Sequence, residues 1–374
     1  MTKVLVADDS ALMRKHLRDL FEGEPGFEVR TVRNGEEALA ELGAFDPDVI
    51  TMDINMPVMD GITCLSRIMA ERPKPVVMVS SLTDAGAEAT LQALSLGAVD
   101  FVRKPDGTIS LSIDRIRQEL LAKVRAAAQA KVRRAHGLRE RMRGARAHAA
   151  GSAATGQSGH TGQPWPAPGQ MGMVLIGVST GGPGTLEEIL PFLPAGFPWA
   201  VLVAQHMPGG FTGPFARRLD GMCAMRVVEA AQQMPIEAGT VYIARGDSDL
   251  LVLRRAAGYV AAPVPVSAGH LWHPSVTRLV ASALDVVPAG NLVAVQLTGM
   301  GDDGAEAMAD LHRRGGRTIA QDEASSVVFG MPKELIRRGG ASVVAHSGRI
   351  ADQLAAWLLP AGSATRKDAR HATR

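Results

Sequence analysis

Three aspartates and one lysine near the ends of apolar runs could form a phosphorylation site in the first third of the chain. Asp8 and Asp9 follow the first Val-rich run. Asp53 follows the third run and Lys104 the fifth. If these runs are parallel strands, their carboxyl ends lie at one edge of a sheet, where ligands bind. Converging carboxylates repel one another unless a hard cation such as Mg²⁺ lies among them. A carboxylate beside such a cation is well placed to accept a phosphoryl group, and the lysine would offset the developing charge.

These four residues also have a structural interpretation, because single acids at strand ends are commonly turn or helix-capping residues. The combined placement, with Ser80 after the fourth run, favours the phosphorylation site.

A serine stands at the end of a later apolar run, in a turn that is rich in glycine. The run at 173–178 is followed by Ser-Thr-Gly-Gly-Pro at 179–183. Proline is common in the first turn of a helix, so the segment is typical of a strand-to-helix corner. The free N–H groups there could bind an oxyanion beside a nucleophilic Ser179. From this motif alone a phosphate-cradling turn with Ser179 as a cap stays open, although both the G-x-G-x-x-G pattern and the P-loop lysine are missing.

A serine nucleophile needs a base, and the base needs an orienting acid. His206 follows the run at 199–204 and would share a sheet edge with Ser179. A lone histidine at a strand end is more often a surface or capping residue, and its pairing with the glycine-rich turn favours the role of base. Asp302 and Asp303 follow another run, and spacing alone does not choose between them.

Two α/β units are needed to position these residues. Short Val- and Ile-rich runs alternate with helical spacing in residues 1–105, which predicts a parallel sheet covered on both faces. The predicted strands of this unit are 3–7, 27–31, 48–52, 75–80 and 98–102. A second unit begins near Met171, with predicted strands at 173–178, 199–204, 240–244, 292–297 and 317–321. Its predicted helices are 183–192, 275–286 and 304–314.

The region between the units is basic and then rich in Gly, Ala and Pro. Residues 108–146 predict a helix with a basic extension, since residues 115–146 hold eleven Lys and Arg but two Glu. Residues 144–170 predict a linker. A nucleic-acid-binding regulator is the alternative for this charge. We expect no nucleic acid partner, because no helix-turn-helix or interleaved aromatic pattern is evident.

The amino-acid sequence also indicates the cellular compartment of the protein. The two cysteines, Cys64 and Cys223, are too few for a disulfide framework or a zinc site. No apolar run approaches the roughly 18 residues of a membrane span. The N-terminus lacks the pattern of a signal peptide. We therefore expect a cytoplasmic protein without membrane insertion.

Four motifs resemble the response-regulator receiver family over residues 1–125. They are VADDSALMRK (6–15), MDINMPVMDG (52–61), VVMVSSLT (76–83) and FVRKP (101–105). The resemblance implies a flavodoxin-like fold with a five-stranded parallel sheet, Asp53 as phospho-acceptor and a chemotaxis histidine kinase as phosphodonor. The implied Mg²⁺ ligands are Asp8, Asp9, Asp53 and the Asn55 carbonyl. Ser80 would be the switch hydroxyl, Lys104 the phosphate partner, and the Lys104–Pro105 bond cis.

Four further motifs resemble the protein-glutamate methylesterases of bacterial chemotaxis over residues 171–358. They are IGVSTGGP (176–183), AQHMP (204–208), LTGMGDDGA (297–305) and QDEASSVVFGMP (321–332). The resemblance implies a doubly wound, mostly parallel α/β/α domain with Ser179 as nucleophile, His206 as base and Asp303 as orienting acid. Backbone N–H groups at Gly181 and Met300 would bind the oxyanion, and the ester chemistry would need no cofactor.

The same resemblance implies phosphorylation-regulated hydrolysis of glutamyl methyl esters on chemoreceptors, with deamidation of receptor glutamines, in chemotaxis adaptation. We expect a monomer with a receiver domain (1–125), a linker (126–170), a catalytic domain (171–358) and a tail (359–374). We also expect the unphosphorylated receiver to cover the face that carries Ser179.

Three positions depart from the family pattern. Asp249 stands where the family often has histidine, and the family's Arg-Pro-Ser-Val-Asp becomes a segment from His273 to Thr277. They suggest an alternative in which a degenerate esterase serves as a phosphate sink or binding module. The retained Ser179, His206 and Asp303 argue against it.

Overall fold

The first half of the chain folds around a five-stranded parallel sheet. The computed structural model describes residues 1–80, 83–104, 109–132 and 171–359. The strand order of the first sheet is β2-β1-β3-β4-β5. Its strands are β1 (Thr2–Ala7), β2 (Phe27–Val32), β3 (Val49–Asp53), β4 (Val76–Ser80) and β5 (Asp100–Arg103). The five predicted strands are therefore confirmed, and the sheet order is that of a flavodoxin-like receiver.

Most of the helices around this sheet begin after a residue whose side chain caps the helix. The helices are α1 (Ala11–Glu22), α2 (Gly35–Ala44), α3 (Gly61–Glu71), α4 (Asp84–Leu96) and α5 (Ile109–Ala128). The side chains of Ser10, Asn34, Asp60 and Thr83 each accept a hydrogen bond from an amide in the first turn of α1 to α4. Such caps satisfy N–H groups that have no partner inside the helix.

The helix predicted at the start of residues 108–146 is α5, and it ends at Ala128. Its buried stripe of Leu120, Leu121, Val124 and Ala127 packs on the sheet, and tertiary packing of this kind supplies most of the stability of a helix. The partly buried Ala130 and Val132 continue to pack on the same core after the helix ends. The predicted extension at 133–146 lies outside the described residues.

The second half forms a seven-stranded parallel sheet in the order β15-β14-β13-β6-β7-β10-β8. Its strands are β6 (Met173–Val178), β7 (Ala200–Gln205), β8 (Arg226–Ala230), β10 (Thr240–Ala244), β13 (Leu292–Gln296), β14 (Arg317–Gln321) and β15 (Val343–Ala345). A small antiparallel sheet comprises β9 (Met234–Pro235), β11 (Asp249–Arg255) and β12 (Gly258–Val264). The five predicted strands of this half are confirmed, but β8, β15 and the antiparallel sheet were not anticipated.

Helices lie on both faces of the larger sheet, as expected of a doubly wound α/β/α domain. They are α6 (Gly182–Ile189), α7 (Gly209–Asp220), α8 (Val276–Val286), α9 (Ala305–Arg313), α10 (Met331–Arg337) and α11 (Ser347–Leu358). Among the described helices, none combines the length and the apolar character needed to cross a membrane.

The two halves touch along one face of the first domain. Helix α4 packs against α6 and α7. Buried side chains from both domains belong to one hydrophobic cluster that includes Phe101 and Phe211. The turn that carries Ser179 therefore lies next to the first domain.

Candidate active site and its domain interface

Ser179 lies at the carboxyl end of β6, in the middle of the larger sheet. The register pairs Val178 with Gln205, so Ser179 and His206 follow at matching positions of neighbouring strands. The Ser179 N–H donates to the Thr298 carbonyl at 2.9 Å. The Ser179 residue is 6% exposed.

Two glycines make the turn after Ser179 possible. Gly181 has a φ of 76°, which a residue with a side chain rarely adopts. A Cβ on Gly182 would lie 2.0 Å from Gln205 Oε1. The glycine-rich motif is therefore explained by one left-handed residue and one close approach.

His206 and Asp303 form a hydrogen-bonded pair, with 2.9 Å between His206 Nε2 and Asp303 Oδ2. Both side chains are less than one tenth exposed. Burial acts to raise the pKa of Asp303, but hydrogen bonds from His206 and Thr277 and the His206 charge together lower it to about 2. An ionised carboxylate can only accept hydrogen bonds, so the geometry assigns the ring proton of His206 to Nε2. The other ring nitrogen, Nδ1, is then free to accept a proton. The ring of Trp272 stacks on that of His206, with 5.8 Å between centroids.

The amino-terminal end of α8 holds the Asp303 carboxylate from the other side. Its oxygens accept from Val276 N at 2.7 Å, Thr277 N at 2.9 Å and Ser275 Oγ at 3.2 Å. Asp302, by contrast, has a side chain that is 65% exposed and pairs with Arg338 on the surface.

Two buried glutamines that the sequence did not single out hold the backbone of these residues. Gln205 Nε2 donates to the carbonyls of Ser179 at 3.0 Å and of His206 at 3.1 Å. Gln296 Nε2 donates to the Asp303 carbonyl at 2.9 Å. Each glutamine is the last residue of an otherwise apolar strand, and this break in pattern was the signal available.

The residues expected to bind the oxyanion belong to two segments near Ser179. A Cβ on Gly299 would lie 2.6 Å from Ser179 Cβ, so the loop that carries Met300 runs against the serine. The Gly181 N–H donates to the carbonyl of Val99, a residue of the first domain, at 3.1 Å. Within the described part of the chain, no hydrogen bond links Ser179 Oγ to His206.

Further contacts of the first domain surround the serine turn. Thr180 Oγ1 donates to Asp100 Oδ2 at 2.5 Å, immediately after Ser179. The rings of Phe101 and Phe211 lie 4.4 Å apart between centroids.

A polar cluster closes the interface at the end of α4. Ser95 Oγ lies 3.1 Å from both carboxylate oxygens of Glu187. Arg218 donates to Ser95 Oγ and to Glu187, each at 2.7 Å.

The three acidic residues of the first domain are brought together as expected. Oxygen atoms of Asp8, Asp9 and Asp53 all lie within 4.8 Å of one another. Lys104 Nζ lies 2.6 Å from Asp53 Oδ2 and 3.0 Å from Asp8 Oδ2. Although the ammonium is this close, Asp8 Oδ2 is buried without an aligned hydrogen-bond donor among the described residues. Buried carboxylate oxygens of this kind fit the donor set of Mg²⁺.

Charge and burial compete at the same cluster. Burial, together with the neighbouring Asp8 charge, raises the pKa of Asp53 above its usual value, although the Lys104 ammonium and the Asn55 amide act to lower it. Burial lowers the pKa of Lys104, but Asp53 and Asp8 outweigh it and leave a net rise. Ser80 is buried and donates to the Gly86 carbonyl at 3.4 Å. The expected cis bond at Lys104–Pro105 lies outside the described residues.

The sequence matches known families in both halves. Residues 4–113 match the response regulator receiver domain, and residues 174–354 match the CheB methylesterase family. A protein-glutamate methylesterase/protein-glutamine glutaminase of Rhodospirillum rubrum is 62% identical over 358 residues, covering 96% of each chain. A protein of the same name from Rhodopseudomonas palustris is 52% identical over 362 residues, covering 96% of this chain and 98% of that one.

Proposed function

The chain belongs to the protein-glutamate methylesterase/protein-glutamine glutaminase family, and we propose that Ser179 hydrolyses glutamyl methyl esters of chemoreceptors under control of receiver phosphorylation. The observation that carries the proposal is the buried His206–Asp303 pair beside the Ser179 turn. The reaction would take place in the cytoplasm and serve chemotaxis adaptation. An inactive esterase domain is not favoured, because this pair is formed and Asp303 is held by four hydrogen bonds.

In the acylation step, His206 Nδ1 takes the proton of Ser179 Oγ as this oxygen bonds to the ester carbonyl carbon. Asp303 holds the ring in the required tautomer and stabilises the imidazolium. The N–H groups of Gly181 and Met300 stabilise the negative carbonyl oxygen. When the tetrahedral intermediate collapses, the carbon–methoxy bond breaks and the imidazolium gives its proton to the departing methoxy oxygen, which leaves as methanol.

In the second step, His206 takes a proton from a water molecule, whose oxygen bonds to the acyl carbon. The ester bond to Ser179 breaks, Ser179 regains its proton and a glutamate side chain is released. A glutamine side chain would follow the same route with ammonia as the first leaving group.

Asp53 would accept the phosphoryl group from a histidine kinase. Asp8, Asp9, Asp53 and the Asn55 carbonyl would hold Mg²⁺, which neutralises negative charge on the phosphoryl oxygens. Lys104 contacts Asp53 and Asp8 and would pair with the phosphate, while Ser80 would act as the switch hydroxyl.

The domain interface gives regulation a physical basis. A carbonyl of the receiver occupies the Gly181 N–H, so this N–H cannot bind an oxyanion while the domains are docked. Phosphorylation of Asp53 would weaken the docking of α4 and β5 and free the site. Interdomain contacts of modest size shift readily.

The direct test is methanol release from methyl-labelled receptor in the presence of a small phosphodonor. The parent chain should release methanol, and Ser179→Ala should lose roughly 10⁶-fold in rate, the order seen for removal of a serine nucleophile. Ser66→Ala, at an exposed position of α3, serves as a control for substitution of a serine. Full activity of Ser179→Ala would refute the nucleophile.

A further inference from the structure

Asp249 is a fully buried carboxylate to which the proposed mechanism gives no role. It is the first residue of β11 and is 0% exposed. Burial acts to raise its pKa, but hydrogen bonds from His273, Ser275 and Arg278 outweigh this and lower it. Asp249 is therefore a buried negative charge, which is costly unless its partners compensate it.

Four donors surround this carboxylate. Oδ1 accepts from His273 Nδ1 at 2.9 Å and from Ser275 N at 2.7 Å. Oδ2 accepts from an Arg278 guanidinium nitrogen at 2.5 Å and from Ser267 N at 3.3 Å. Because both oxygens accept twice, an amide in this position would place its NH₂ group against a donor.

The segment that Asp249 holds is the one that holds Asp303. Ser275 donates its N–H to Asp249 and its Oγ to Asp303, so it joins the two carboxylates directly. The next two residues, Val276 and Thr277, give their N–H groups to Asp303.

The residue before His273, Trp272, contacts the His206 ring. Trp272 lies next to His273 in the chain, and its ring stacks on His206 at an interplanar angle of 15°. The segment 272–277 therefore contacts both His206 and Asp303, and Asp249 fixes it from behind.

We propose that Asp249 is a positioning residue for the Asp303–His206 pair, acting through His273, Ser275 and the start of α8. This inference rests on the proposed function. An ionised Asp249 keeps three donors aimed at Asp303, and Asp303 in turn fixes the tautomer and direction of the His206 ring. Displacement of reacting groups by about 1 Å can cost a hundredfold in rate.

The test compares Asp249→Asn with the parent in the phosphodonor-activated full chain, using methyl-labelled receptor. We expect kcat to fall about ten- to a hundredfold with KM within about twofold, because the change misaligns the reacting groups without touching substrate. Asp310→Asn, which removes another ion-paired carboxylate, is the matched control and should leave kcat unchanged.

A second pair of variants covers the case in which Asp249→Asn does not fold. His273→Asn can still donate to Asp249, whereas His273→Ala cannot, so the first should retain several-fold more kcat than the second. Equal kcat for these two variants would overturn the inference, as would a folded Asp249→Asn with parental kcat. If the parent neither releases methanol nor reacts with a fluorophosphonate at Ser179, the proposed function fails, and the inference fails with it.

Discussion

At the scale of single residues, the orientation of the His206 ring decides the chemistry. Its Nε2 lies against Asp303, so Nδ1 is the nitrogen that would act on Ser179 in the proposed mechanism. Ser179, His206 and Asp303 come from three separate segments of the chain. His206 can pair with an acid only if Asp303 rather than Asp302 faces inward. The α8 amides make that choice, since they bind Asp303 and leave Asp302 on the surface.

The depressed pKa of Asp303 predicts a pH-dependent contribution to stability. The folded value of about 2 lies below the usual unfolded value of about 3.9. Asp303 therefore stabilises the fold at pH values above about 4, and this contribution of about 2 kcal/mol is lost as the pH falls toward 2.

Urea unfolding of residues 165–374 and of the same fragment with Asp303→Asn measures this contribution. The difference in unfolding free energy should shrink as the pH falls from 5 to 2.5. A difference in unfolding free energy that stays constant between pH 5 and pH 2.5 would contradict the lowered pKa of Asp303.

At the scale of elements, the passage from β6 into α6 is the most constrained piece of backbone in the site. Gly182 packs against the side-chain amide of Gln205, and that amide also binds the Ser179 and His206 carbonyls. The Gln205 side chain therefore holds the turn after Ser179 and the end of β7 in fixed positions relative to each other.

Two glycines of α6 make a matched pair of predictions. Gly182→Ala should destabilise the fold and abolish ester hydrolysis, because its Cβ would lie 2.0 Å from Gln205 Oε1. Gly184→Ala meets nothing within 4 Å and should stabilise the helix by about 0.5–1 kcal/mol. Thermal unfolding and methanol release of both variants check this, and similar behaviour of the two would contradict the described packing.

Most of the ten main strands could be predicted because they are short, buried runs rich in Val, Ile and Ala between turn residues, although β2 is buried only at its two ends. Strand β8 has five residues and is only partly buried, and β15 has three residues, so both give a weak signal. Both are edge strands of the larger sheet. Sequence spacing placed Ser179 and His206 on one sheet edge, but the roles of Asp249 and the two glutamines depend on contacts between distant segments. Contacts between residues that are far apart in the chain produce no periodic pattern in the sequence.

At the scale of the whole molecule, the receiver is docked directly on the serine turn. The hydrogen-bond partners of Gly181 and Thr180 are consecutive receiver residues, Val99 and Asp100, and the next residue, Phe101, packs on Phe211 of α7. Asp100 also lies 3.2 Å from Lys123 of α5, so the receiver side of the contact is tied to its own core. Docking and access to Ser179 are therefore linked by geometry.

Loosening the interface from the receiver side should raise basal activity. Ser95→Ala removes the hydrogen bonds that Ser95 makes with the buried Glu187 carboxylate and with Arg218, which is 35% exposed. We expect methanol release without phosphodonor to rise several-fold, since a lost buried hydrogen bond costs about 1–3 kcal/mol.

Ser66→Ala, on an exposed position of α3, is the control and should leave the basal rate unchanged. A Ser95→Ala chain with parental basal activity would argue that this cluster does not hold the domains together.

We propose that the receiver blocks an otherwise competent Ser179 site and that phosphorylation removes the block. The most direct measurement is methanol release from methyl-labelled receptor by the full chain, with and without phosphodonor, beside residues 165–374 alone. We predict that the fragment is faster than the unphosphorylated chain and that the phosphodonor accelerates the full chain only. A fragment no faster than the unphosphorylated full chain would contradict the claim.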